Sequence, residues 1–231
     1  MSGWPRRGSV AVSGGGSRWW ALAEVGLVVA LMAADFYGVV PYTSTPFLLA
    51  LGWVSLRLRG LRWPHLGLSR PPSWGRALLV GAVAGLAMEL FATYVTVPVL
   101  SHLAGRPPDL SDFRPLVGHV GLLLVAVVAN WVLAALGEEL GYRGYVMNRV
   151  ADLGGGTRAA WALSLVATSA LFGWGHGGQG VTGMVQEGLA GCLLGLLYLA
   201  SRRNLVVPIV AHGVSNTLAF VLIFFDRYPG V

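Results

Sequence analysis

The chain has 231 residues, of which 55% are hydrophobic and only 11% are charged, and its mean hydropathy is +0.66. Soluble domains usually carry about 25% charged residues, so this composition excludes an ordinary water-soluble domain. The formal charge of +6 comes from arginines that lie between apolar runs, where juxtamembrane cations belong, and not from a basic face with interleaved aromatics. We therefore expect membrane lipid as a partner and no nucleic acid.

The chain order predicts a disordered basic tail over residues 1–18, rich in Ser, Gly and Arg, followed by one integral membrane domain over residues 19–231. Uncharged runs such as residues 116–137 exceed the ~18 residues that indicate a bilayer span. The sequence predicts an all-α polytopic membrane bundle of about seven transmembrane helices, near residues 19–37, 45–58, 76–100, 116–149, 158–175, 181–200 and 205–225.

Two features of these segments bear on topology. The arginine-rich stretches before the first helix, between the second and third, and between the sixth and seventh favour a cytoplasmic location, which puts the N-terminus inside. The fourth segment is too long for one straight crossing of a ~30 Å core. It should tilt, break near Gly137, or continue past the membrane.

Three short motifs place polar groups in otherwise apolar sequence: Glu138-Glu139-Leu-Gly-Tyr-Arg143, Phe172-Gly-Trp-Gly-His176 and His212-Gly-Val-Ser-Asn216. Each charged residue near the middle of a span costs roughly 2.5–3.5 kcal/mol, so two glutamates and an arginine left unpaired would cost about 8–10 kcal/mol. That is a large part of a typical net stability of roughly 5–15 kcal/mol. Such residues must pair, and they are usually retained for a function.

Helical spacing predicts different partners for the two glutamates of the first motif. Glu139 and Arg143 are four residues apart and share a face, which predicts an ion pair. Glu138 lies about 140° from Arg143 around an α-helix, so it has no local counter-charge and points elsewhere. A carboxylate in that position suits a general base. His212 and Asn216 share a face, so their side chains project together.

Each motif also has an ordinary structural interpretation. Glu139 and Arg143 would then form a helix-packing ion pair, His176 would be a loop or interfacial histidine, and His212 with Asn216 would hydrogen-bond between helices. Two further glutamates of apolar runs have no polar neighbours in sequence and receive no role: Glu89 and Glu187.

The ordered set Glu-Glu-x-x-x-Arg, Phe-x-x-x-His and His-x-x-x-Asn on successive hydrophobic helices resembles the CPBP intramembrane protease family. That family includes the CAAX prenyl endopeptidases and prokaryotic relatives called Abi or bacteriocin-processing proteins. The resemblance covers residues 114–225. Tyr142 stands where the family commonly has Phe before the arginine, which leaves the ionisable groups intact.

The resemblance implies an intramembrane endopeptidase that hydrolyses a peptide bond in a membrane-associated protein or peptide, in a prokaryotic plasma membrane. By the same resemblance Glu138 is the general base, His176 helps it to hold or activate a water, and His212 with Asn216 stabilises the oxyanion. Orienting or structural roles fall to Glu139, Arg143 and Phe172.

The cofactor is either absent or one divalent metal such as zinc. Glu138, His176 and His212 are acceptable as three protein ligands that leave a fourth position for water. The family has both a metal-dependent and a metal-free interpretation, and the sequence lacks the His-Glu-x-x-His pattern that would require zinc. We favour the metal-free version.

The predicted topology does not by itself bring His176 to Glu138. In a simple seven-span arrangement His176 ends a helix that has crossed away from Glu138, so either the fourth helix is centred on Glu138 or the chain after Val150 re-enters.

A proton-coupled transporter would also use intramembrane Glu, His and Arg, but it predicts an internal repeat. A catalytically silent scaffold of the same fold is the other alternative.

Overall fold

The computed structural model describes residues 15–41 and 43–230, and the residues described form helices and turns without a β-strand. The all-α prediction is therefore confirmed for this part of the chain. The predicted tail lies outside the described residues as far as residue 14, and the first helix begins at Gly15.

Seven long helices follow one another over the described ranges: α1 (Gly15–Phe36), α2 (Thr45–Leu58), α3 (Trp74–Ala104), α4 (Val120–Leu153), α5 (Arg158–Trp174), α6 (Gly180–Ala200) and α7 (Val206–Phe224). Short 3-10 turns lie between some of them, at Trp63–Leu66, Ser111–Leu116 and Gly177–Gln179. Every predicted span coincides with one of these helices, with ends that differ by a few residues.

Five of the helices are long and apolar enough to cross a membrane: α1, α3, α4, α6 and α7. The helices α2, with 14 residues, and α5, with 17, are shorter. Many large apolar side chains point outward from the bundle, for example Leu79 and Val83 of α3 and Val125 of α4. In water such a surface would be unfavourable, and in a bilayer it contacts lipid. The protein is a polytopic membrane bundle.

The arginine-rich loops meet at one end of the bundle. Arg149 near the end of α4 pairs with Glu24 of α1 at 2.6 Å, and Arg59 after α2 lies 4.0 Å from Asp152. The backbone N–H of Leu205 donates to the carbonyl of Gly67 at 3.0 Å, which joins the α6–α7 turn to the α2–α3 loop. The two basic segments among the described residues, the α2–α3 loop and the α6–α7 turn, thus share one side, as a common cytoplasmic location requires.

Helix α4 carries the site into the centre of the bundle. Its first ten residues, Val120–Ala129, bury none of their side chains, whereas the run from Glu139 to Arg149 is buried. The helix has 34 residues and would be about 50 Å long as a regular α-helix, more than the ~30 Å core. It does not break near Gly137 but continues through a π-helical stretch, Asn130–Val146.

The depth of His176 follows from the shortness of α5. Glu138 lies near the middle of α4, and the 17 residues of α5, which ends at Trp174, are long enough to return from the end of α4 to about the level of Glu138. Of the two solutions offered by the sequence, the first, a fourth helix centred on Glu138, is the one that the structure has.

Candidate active site

The π-helical stretch of α4 presents Glu138, Glu139 and Arg143 to the interior of the bundle. A π-helix widens the turn to an i→i+5 hydrogen bond and occurs preferentially at functional sites. Gly137 lets α2 approach this stretch, because a Cβ there would lie 2.9 Å from the methyl carbon of Thr45. The stretch is therefore packed closely from the side of α2.

Glu139 is fully buried and is the centre of the polar cluster. Its Oε1 atom accepts a hydrogen bond from Arg143 Nη1 at 2.7 Å and lies 2.9 Å from His212 Nδ1. The structure thus contains the Glu139–Arg143 ion pair that the spacing predicts. Arg143 also donates to the carbonyl of Gly191 at 2.9 Å and lies over the Phe172 ring, with 4.5 Å from its Cζ to the ring centroid.

His212 lies between two carboxylates. Its Nδ1 faces Glu139, and its Nε2 lies 3.9 Å from Oε2 of Glu138. A carboxylate oxygen accepts, so Nδ1 of His212 carries the proton of this hydrogen bond. The Nε2 atom is then the one directed toward Glu138, whose side chain is 17% exposed while that of Glu139 is sealed.

Phe172 connects the two histidines. Its ring centroid lies 4.8 Å from that of His176 and 6.1 Å from that of His212. His176 Nδ1 lies 2.8 Å from the carbonyl oxygen of Phe172, and because a carbonyl only accepts, Nδ1 is protonated and Nε2 is the free nitrogen. Phe172 and the turn that follows α5 therefore fix the orientation of His176.

Tyr142 is the position at which the sequence departs from the family pattern. Its ring packs edge-on against Phe172 with centroids 5.0 Å apart, and its hydroxyl donates to the sulfur of Met32 on α1 at 3.2 Å. The aromatic contact expected of a phenylalanine is thus kept, and the hydroxyl adds a contact to α1.

Asn216 lies one helical turn beyond His212 and lines a cavity of about 220 Å³ between α3, α6 and α7. The same cavity is lined by polar side chains that the sequence left without a role, Glu89, Gln186 and Glu187, together with Ser215 and Tyr228. The structure thus gathers Glu138, Glu139, Arg143, Phe172, His176 and His212 around one point, and places Asn216 beside a neighbouring polar cavity.

Two buried polar residues near the site, Asn130 and Glu89, have no role predicted from the sequence. Asn130 donates from Nδ2 to the carbonyl of Gly213 at 3.0 Å and to Thr217 at 3.3 Å, which ties α4 to α7. Glu89 of α3 accepts a hydrogen bond from Ser215 at 2.8 Å. The sequence signal for each residue was a polar side chain within an apolar helix. Their hydrogen-bond partners on α7 could not be predicted, because these lie far away in the sequence.

The donor chemistry of Glu138, His176 and His212 suits a zinc ion, since each histidine has its Nδ1 held by an acceptor and its Nε2 free. The placement does not, because the described residues contain no group of three or more His, Cys, Asp or Glu side chains arranged to hold a metal ion. The proposed reaction therefore runs through the side chains alone.

The fold and this cluster together define a polytopic membrane protein with a buried Glu–Arg–His site. Residues 120–218 match the family model described as Type II CAAX prenyl endopeptidase Rce1-like. The resemblance to the CAAX-protease family, predicted from the three motifs, is therefore confirmed over these residues, which hold all of them. No curated protein and no solved structure matches the chain.

Proposed function

We propose that this protein is an intramembrane endopeptidase that hydrolyses a peptide bond in a membrane-associated protein or peptide, with Glu138 as its general base. The observation that carries the proposal is the unequal pairing of two adjacent carboxylates. Glu139 is neutralised by Arg143 at 2.7 Å, whereas the ion-pair partner of Glu138 among the described residues is Nε2 of His212, 3.9 Å away. Glu138 is therefore the carboxylate that remains basic and reachable.

In the proposed reaction a water molecule lies between Glu138 and Nε2 of His176. Glu138 takes a proton from the water. At the same time the water oxygen attacks the scissile carbonyl carbon, and the carbonyl oxygen becomes an oxyanion. His212 and Asn216 donate to this oxyanion. For that step His212 carries protons on both nitrogens, a form that the Glu139 carboxylate behind Nδ1 stabilises. Glu138 then gives its proton to the leaving nitrogen as the C–N bond breaks.

Glu139, Arg143 and Phe172 act as orienting residues in this proposal. Glu139 fixes the tautomer and direction of His212, as a carboxylate behind a catalytic imidazole does, and Arg143 holds Glu139. Phe172 packs against both histidines. None of the three touches the reacting atoms.

The substrate class that we propose is a membrane-associated peptide or protein. A CAAX substrate carries a prenylated cysteine four residues from its C-terminus, and the name of the matched family refers to such substrates. We propose that this protein works in a prokaryotic plasma membrane and that its substrates there are small peptides or other membrane proteins.

The proposal is tested by comparing the N-terminal peptides of membranes that contain the wild type, Glu138→Gln or Asp112→Asn at equal expression. Asp112 is an exposed acid in the loop before α4, so its variant controls for the loss of one negative charge. A precursor that accumulates only with Glu138→Gln supports the proposal and identifies a substrate. Purified Glu138→Gln protein that still cleaves the substrate of the wild type would contradict it.

A further inference from the structure

The face of α3 that packs against α7 lies outside the family-matched residues 120–218 and consists of Gly81, Gly85 and Glu89, spaced four residues apart. All three are buried. Small residues at this spacing allow two helices in a membrane to approach closely. α3 and α7 therefore form a backbone-to-backbone contact at the level of the proposed site.

The glycines set the distance between the two helices. A Cβ on Gly81 would lie 2.7 Å from Cβ of Val210 and 2.9 Å from the carbonyl oxygen of Val207. A Cβ on Gly85 would collide with the carbonyl oxygen of Ala211. Because Ala211 directly precedes His212, the closest approach of α3 is beside this histidine.

Glu89 continues the same face one turn further along α3. It is 4% exposed, and its Oε2 accepts a hydrogen bond from Ser215 Oγ at 2.8 Å. Its Oε1 accepts one from Thr93 at 3.2 Å, within α3. Ser215 lies on α7 between His212 and Asn216, so the carboxylate holds the turn that carries both of these residues.

The C-terminal segment holds Glu89 from a third direction. Tyr228 hydrogen-bonds to Glu89, and burial, followed by the neighbouring Glu89 charge, raises the pKa of Tyr228 well above the ordinary value for a phenol. The tyrosine therefore stays protonated at neutral pH, and its hydroxyl donates a hydrogen bond to the Glu89 carboxylate. With hydrogen bonds from α3, from α7 and from the C-terminal segment, the direction of the Glu89 carboxylate is fixed.

We propose that Glu89 is a positioning residue of the endopeptidase. It sets the rotation of α7 through Ser215, while Gly81 and Gly85 set the distance, so that His212 faces the two carboxylates of α4 and Asn216 faces the reacting carbonyl. The inference rests on the proposed function. Loss of this hydrogen bond lets α7 rotate about the glycine contact, and displacement of a catalytic group by about 1 Å costs on the order of 10²-fold in rate.

The kinetic test uses purified Glu89→Ala, Ser215→Ala, the double variant and Glu89→Gln, with Leu90→Ala on the exposed side of α3 as control. We expect Glu89→Ala to lower kcat about 10- to 100-fold with little change in KM. Ser215→Ala should lower kcat as well, and the double variant should be no worse than Glu89→Ala, because the two residues act through one hydrogen bond. Glu89→Gln should restore most of kcat, since its amide oxygen still accepts from Ser215.

A measurement that needs no activity separates this inference from the proposed function. In protein with ¹⁵N-labelled histidine rings, the His212 signals, identified by their loss in His212→Gln, should move in Glu89→Ala and return in Glu89→Gln. If the wild type cleaves no peptide, the proposed function fails and these signals still decide the positioning role. Unmoved His212 signals in Glu89→Ala, or a folded Glu89→Ala protein with wild-type kcat, would overturn it.

Discussion

Two clusters of carboxylates and arginines form around α4, and they differ in charge balance. Near its end, Glu24 and Asp152 are matched by Arg149 and Arg59, with distances of 2.6 Å, 2.5 Å and 4.0 Å. We call this set the arginine-end cluster. In the middle of α4, the two carboxylates of Glu138 and Glu139 are accompanied by one arginine, Arg143, which pairs with Glu139, and by His212.

The two clusters differ in whether each buried carboxylate has its own cation, and we take this as the difference between a structural and a functional cluster. In the arginine-end cluster each carboxylate has a guanidinium group, so the cluster joins α1, α2 and α4 without excess charge. In the site one carboxylate is in excess, and the group that faces it is an imidazole, which can gain or lose a proton near neutral pH. An excess of negative charge in a membrane is costly, which supports the catalytic role proposed for Glu138.

The comparison is tested most strongly by exchanging the two adjacent carboxylates for amides. Glu138→Gln should lower peptide hydrolysis by about 10²–10⁴-fold, because it removes a general base, and leave the thermal unfolding midpoint nearly unchanged. Glu139→Gln should lower both activity and the unfolding midpoint, because Arg143 then loses its counter-charge. Peptide cleavage and thermal unfolding of the two purified variants check this. Equal loss of stability in both would show that the carboxylates do not have separate roles.

The next largest effect is expected for the arginine of the site. Arg143→Met leaves the fully buried Glu139 without its cation, and breaking a buried pair in this way costs about 3–5 kcal/mol. Chemical unfolding in detergent measures this cost, with the exposed Arg76→Met as the matched control. The double variant Glu139→Gln/Arg143→Met should recover part of the loss. If Arg143→Met behaves as Arg76→Met does, the ion pair does not stabilise the fold.

A smaller effect is expected at the arginine end. The Asp152 side chain is 45% exposed, so Asp152→Asn should cost no more than about 1 kcal/mol and leave peptide hydrolysis at the wild-type rate. The same unfolding and cleavage assays check it. A large loss of activity in Asp152→Asn would mean that the two clusters are coupled and do not have separate roles.

The smallest effect is expected from removal of divalent metal. Because the proposed reaction runs through Glu138 and two histidines, a chelator should leave peptide hydrolysis unchanged after extensive dialysis. Metal analysis of the dialysed protein provides the control. Activity that is lost with the chelator and restored by zinc would contradict this expectation and assign Glu138, His176 and His212 as ligands.

The positions of the helices could be predicted from the sequence because each span must be apolar over its length. Every segment from α1 to α7 was identifiable in this way, although π-helical widening between Asn130 and Val146 was not, since no pattern of hydrophobicity distinguishes it from an α-helix. The Glu139–Arg143 pair was predictable as well, because both residues lie on one helix.

Contacts between helices depend on tertiary packing and could not be predicted from the sequence. His212 meets Glu139 across 73 residues, and Glu89 meets Ser215 across 126, so the roles of Glu89 and Ser215 were invisible without the fold. By itself the sequence determined a membrane bundle and the polar groups that must pair within it, since burial of charge in lipid is costly wherever it occurs. The contacts of His212 with the two carboxylates and the packing of α3 against α7 were decided only by the tertiary structure, because they depend on the rotation and depth of helices packed against one another.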